Sequence, residues 1–62
     1  MRTWLVDIRN NKGMTQAEVA EKAQISQPSL CDIERGNNTP KPDTAKRIAS
    51  VLDFPWTKFY DQ

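Results

Sequence analysis

The chain has 62 residues, nine Lys/Arg against eight Asp/Glu, a formal charge of +1, one cysteine and no histidine. A single domain spanning residues 1–62 follows from that length, and so small a chain buries only about 60% of its unfolded surface. The lone cysteine excludes an internal disulfide, and without histidine no zinc site of the usual Cys/His spacing can be drawn, so no metal or cofactor is expected. No apolar run approaches the roughly 18 residues of a membrane span, the first residues lack a signal-peptide core, and the absence of a disulfide framework fits a reducing setting. A soluble, cytoplasmic protein with no membrane contact is therefore expected.

Five helices are predicted in chain order. Helix 1 runs from Thr3 to about Asn11, with Thr3 as its N-cap, Trp4, Leu5 and Ile8 as an inward stripe, and Lys12-Gly13 as its stop. Helix 2 opens at Thr15, which stands three residues before Glu18, the spacing of a capping box. Its inward face is read as Ala17, Val19, Ala20 and Ala23, small enough to let another helix approach. Gln24-Ile25 makes a tight turn. Ser26 caps helix 3, Pro28 falls in its first turn, where a missing N–H costs nothing, and Gly36 ends it. A polar loop, Asn37 to Lys41, leads to helix 4, which starts at Pro42 with Asp43 near the positive end of its dipole. Ala45, Ile48, Ala49 and Leu52 form the core stripe of helix 4, and a short fifth helix covers roughly Pro55 to Tyr60. Four of the five aromatic residues, Phe54, Trp56, Phe59 and Tyr60, follow helix 4. Strand-like alternation is absent, so the fold class is all-α.

Helix 3 is the informative element. At about 100° per residue from Leu30, Ile33 and Glu34 fall on the inward side. Pro28, Cys31, Asp32 and Arg35 point away, with Gln27 and Ser29 at the flanks of the first turn. For an arbitrary amphipathic helix such a polar face is simply solvated. Held by one face and free on the other, however, a helix also meets the requirement for hydrogen bonding to base edges in the major groove.

Thr-Gln-x-x-Val-Ala at Thr15 to Ala20, Ile-Ser at Ile25-Ser26, Ile-Glu-Arg-Gly at Ile33 to Gly36, and Pro40 stand in one order and spacing. Together they resemble the lambda-repressor-like (Xre-type) helix-turn-helix family over about Leu5 to Phe59. The resemblance implies a compact five-helix DNA-binding domain with helices 2 and 3 as the helix-turn-helix. It implies that Gln27, Pro28, Ser29 and Asp32 read bases: a glutamine pairs with adenine N6 and N7, a proline ring meets a thymine methyl, and a carboxylate accepts from cytosine N4. Thr15, Gln16, Asn37, Asn38, Thr39 and Lys41 match backbone-contacting positions, Gln16 also bracing Gln27. Arg9 and Glu34 occupy positions that form a structural ion pair.

The implied function is sequence-specific transcriptional regulation, as a phage- or prophage-type repressor on a near-palindromic double-stranded DNA operator, bound as a homodimer. Trp56 and Phe59, spaced i, i+3, are assigned to packing, and Phe54 with Tyr60 to the dimer edge. With nothing after the fifth helix, no small-molecule ligand is expected and regulation would follow protein concentration. The alternative is a protein-interaction module, such as an antitoxin or anti-regulator, on the same fold. An enzyme is not expected, because histidine is absent and no glycine-rich phosphate cradle follows a strand. Cys31 has no base or second cysteine near it in sequence to make it a redox switch.

Overall fold

Four α-helices and a closing 3₁₀ segment make up the computed structural model, which describes residues 1–61. They are α1 (Thr3–Asn11), α2 (Gln16–Ala23), α3 (Gln27–Arg35), α4 (Pro42–Leu52) and the 3₁₀ segment Trp56–Tyr60, with no strand among the described residues. The expected fifth helix is thus a tighter 3₁₀ turn, with Pro55 as its N-cap in extended conformation. Thr3 is the first helical residue of α1, not its cap. Arg2 holds the cap position without a side-chain bond, and its carbonyl accepts from the N–H groups of Leu5 and Val6.

Each helix stops in the same way. A residue takes the left-handed conformation, Gly13 (φ 68°), Gln24 (φ 61°), Gly36 (φ 83°) and Asp53 (φ 63°) in turn. The N–H after it reaches back to the carbonyl five residues earlier: Met14 to Arg9, Ile25 to Ala20, Asn37 to Asp32, and Phe54 to Ala49. These bonds satisfy carbonyls that the helix end would otherwise leave without partners.

Between the helices lies one core of Leu5, Val19, Ala20, Ala23, Leu30, Ile33, Ala45, Ile48, Leu52 and Phe59. α2 packs against both α3 and α4, and its small residues permit the approach. Ala17 is exposed, contrary to the inward face predicted for α2. At about 100° per residue, the arc from Val19 through Ala23 to Ala20 leaves Ala17 about 60° beyond its edge, on the solvent side. Trp4, Phe54 and Phe59 seal the base of the core as three edge-to-face pairs, with centroids 5.4, 5.3 and 5.5 Å apart. Such pairs add about 0.5–1.5 kcal/mol each beyond the area they bury.

Candidate nucleic-acid interface

α3 is capped by Ser26, whose Oγ accepts the Ser29 N–H at 3.2 Å and donates to Ser29 Oγ at 2.8 Å. Leu30, Ile33 and Glu34 are buried on one side. Gln27, Pro28, Ser29, Asp32 and Arg35 are exposed on the other, and Cys31 is half-buried. Burying Leu30 and Ile33 stabilises the docked helix by about 1.5–3 kcal/mol each, so its outward face is held rigidly.

Glu34 is the second anchor. Its carboxylate accepts from Arg9 Nε at 2.7 Å, Arg9 Nη2 at 3.3 Å and Gln16 Nε2 at 2.8 Å. Arg9 Nη1 also donates to the Met14 carbonyl at 3.0 Å, so one charged cluster joins α1, α2 and α3. A buried carboxylate is tolerable only when its oxygens are satisfied in this way. The cluster also changes the account of Gln16. Its half-buried amide braces Glu34, whereas the brace to Gln27 implied by the resemblance is not formed. An amide nitrogen carries two hydrogens, so one N–H of Gln16 stays available.

Thr15 caps α2 at the same surface. Its Oγ accepts the Glu18 N–H at 3.1 Å, and its own N–H donates to Glu18 Oε1 at 3.0 Å. The Thr15 N–H first, and its hydroxyl second, hold the Glu18 carboxyl below the usual glutamate range.

Beyond α3, Asn37, Asn38, Thr39 and Lys41 are exposed while Pro40 is buried. Ser29, Asn38, Thr39 and Lys41 share a concavity of about 260 Å³ floored by Ile25, Ile33 and Pro40. The start of α3 and the loop after it therefore border one shallow concavity with polar groups on its rim.

Two cations at this surface carried no functional assignment from sequence. Arg35 lies on the outward face of α3, exposed and with no acidic partner among the described residues. The Arg2 guanidinium donates to the carbonyls of Ile33 (2.6 Å) and Asn38 (2.9 Å) and to Thr39 Oγ1 (2.9 Å). Arg35 was legible on the helical wheel. Arg2 sits outside any periodic segment, and nothing in the sequence points to its partners.

The C-terminal aromatics divide differently from expectation. Phe54, read as a dimer-edge residue, is half-buried against Trp4 and Phe59, so most of its ring belongs to the chain's own packing. The reason is its place just after the left-handed Asp53, which turns the ring back under α4. Trp56 lies at the edge of the core, 5.9 Å from the Tyr60 ring, with the Lys46 ammonium 5.0 Å over its face. Tyr60 is 41% exposed, yet its hydroxyl donates to the Pro40 carbonyl at 2.7 Å.

The helix-turn-helix family model matches residues 5–59. The chain is 43% identical over 61 residues to an uncharacterized HTH-type transcriptional regulator, YqaF, of Bacillus subtilis (strain 168), covering 98% of this chain and 80% of that one. It is 40% identical over 45 residues to the immunity repressor protein of Bacillus phage phi105, covering 73% of this chain but only 31% of that protein. Among solved structures, the N-terminal DNA binding domain of SinR from Bacillus subtilis superposes with a TM-score of 0.84 at 30% identity, over 97% of this chain and 88% of that one. The chain belongs to the Xre-type helix-turn-helix family of transcriptional regulators. No described helix is long and apolar enough to cross a membrane.

Proposed function

We propose that this protein is a sequence-specific DNA-binding regulator, a phage- or prophage-type repressor that acts in the cytoplasm and catalyses no reaction. The observation that carries this is the build of α3. Leu30, Ile33 and the Arg9–Glu34–Gln16 cluster grip one face, and Gln27, Pro28, Ser29 and Asp32 stand exposed on the rest. A rigid helix with short polar side chains and no bulky apolar group on its free face suits the major groove. Thr15, Gln16, Asn37, Asn38, Thr39 and Lys41 surround that face and would meet the two sugar-phosphate strands, fixing register while α3 reads bases. Arg35 adds a further cation for phosphate or for guanine. The relation to a phage immunity repressor supports the repressor role, and the likeness to the SinR domain supports duplex DNA as the partner.

Selection of bound duplexes from a random pool would identify the operator. On the selected site, Gln27→Ala is expected to cost about 1–3 kcal/mol and to flatten preference at one base pair per half-site. Full retention of base preference in this variant would remove α3 from the groove.

A further inference from the structure

The loop from Asn37 to Lys41 owes its shape to the two ends of the chain. From one side, Arg2 draws in the Asn38 carbonyl and the Thr39 hydroxyl, its guanidinium lying 5.7 Å over the Phe59 ring. From the other, the Tyr60 hydroxyl draws in the Pro40 carbonyl at 2.7 Å. The peptide bonds here are trans. In a planar trans peptide the N–H points opposite to the C=O. With the Asn38 carbonyl turned to Arg2 and the Pro40 carbonyl to Tyr60, the N–H groups of Thr39 and Lys41 point away from those two side chains. Neither N–H has a partner among the described residues. Pro40 between them has no N–H, and the exposed Lys41 ammonium is on the same loop.

We propose that Arg2 and Tyr60 are positioning residues for phosphate binding. They hold the Thr39 and Lys41 N–H groups as a pair of donors for a DNA backbone phosphate, to which Lys41 adds charge. The inference rests on the DNA-binding reading above. Guanidinium geometry is needed at position 2, because one ammonium cannot bridge the Ile33 carbonyl, the Asn38 carbonyl and Thr39 Oγ1 in a fixed fork. At position 60 only the hydroxyl is needed, since the ring contact with Trp56 survives in phenylalanine.

The test uses Tyr60→Phe and Arg2→Lys, the second of which keeps the charge. Amide NMR of the free proteins is expected to show shifts at Asn38 to Lys41 in both variants, beyond those of each substituted residue's own chain neighbours, with α2 and the middle of α4 unmoved. Loop amides that stay in place overturn the clamp without any DNA measurement. On duplex DNA, Tyr60→Phe is expected to weaken binding about fivefold, as for one lost hydrogen bond. Arg2→Lys should weaken it about tenfold or more. Both losses should be equal on the selected operator and on random duplex, with base preference unchanged. Methylphosphonates, substituted one phosphate at a time, should cancel the difference between wild type and Tyr60→Phe at a single position in each half-site. A loss of the same size on every methylphosphonate duplex would mark a general weakening of the fold and overturn the proposal. So would altered base preference, which would move these residues to the reading helix. Wild-type protein that binds no duplex overturns the DNA-binding reading itself, a result seen without either variant.

Discussion

Glu34 is only 2% exposed, and its carboxylate oxygens are satisfied there because donors from α1 and α2 converge on them. Removing the acid would leave Arg9, itself largely covered, with only the Met14 carbonyl. Glu34→Ala is expected to cost about 3–5 kcal/mol, the usual penalty for breaking a buried pair from one side. In a domain this small that is a large part of the total stability, so thermal melts should show it directly. A melting curve equal to wild type would show the pair to contribute nothing. Glu18 is a milder case at the surface. The Thr15 N–H and hydroxyl favour its charged form, so its pKa is lower folded than unfolded. The stabilisation is present above the unfolded value and is lost as pH falls through the folded one. Melting temperature should therefore decline below the ordinary glutamate range. Glu18→Gln, which can still accept the Thr15 N–H, should make that decline shallower; an unchanged acid limb would assign the decline to other carboxylates.

The four helix ends show how a repeated local device is adapted to two purposes. After the left-handed residue come Met14, Ile25 and Phe54 at three of the ends, each packed against the core. At the end of α3 the same place is held by Asn37, which is exposed. The departure falls where the polar loop of the proposed DNA surface begins. An apolar residue there would have drawn the loop onto the core and away from solvent. Two of the four left-handed positions are not glycine, Gln24 and Asp53. A non-glycine side chain costs roughly 1–2 kcal/mol in that conformation, less for Asp, which tolerates it. Gln24→Gly is therefore expected to stabilise by about 0.5–1 kcal/mol after glycine's extra unfolded-state entropy is subtracted. Asp53→Gly should gain less, since aspartate tolerates that conformation; the loss of its exposed 3.9 Å contact with Lys12 changes little either way. Chemical denaturation of the two variants would rank them, and a destabilised Gln24→Gly would show that the Gln24 side chain offsets its own strain.

At the scale of the molecule, α3 has nine residues, about 13.5 Å of helix, and can face only about four base pairs. That is too few for useful selectivity, which is the physical argument for two copies on one near-palindromic site with half-sites about 10 bp apart. The protomer measures 26 Å in its longest dimension, short of the roughly 34–36 Å of a helical turn. Two copies so spaced would meet only through side chains at their edges, for which the exposed Tyr60 is the candidate carried from sequence. Such a contact is small, so sedimentation should find monomers at micromolar concentration without DNA and two protomers on one operator duplex. A stable complex of a single protomer on that duplex would exclude the dimer.

The four α-helices, the caps of α2 and α3 and most of the core were legible in sequence because each rests on local chemistry. Thr15 with Glu18, Ser26, Pro42 and the stripe from Ala45 to Leu52 act within one or two turns of themselves. The inward phase of Glu34 was legible for the same reason, and with it the need for a partner. The tertiary structure decided what depends on residues far apart in the chain. It gave Gln16 to Glu34 rather than Gln27, turned Phe54 inward against Trp4, and left Ala17 in solvent. It also brought Arg2 and Tyr60 to the loop after α3 across separations of 36 to 37 and 20 residues. A side chain's periodicity shows which way it points from its own helix axis; what stands there to receive it is set by how the helices close on one another.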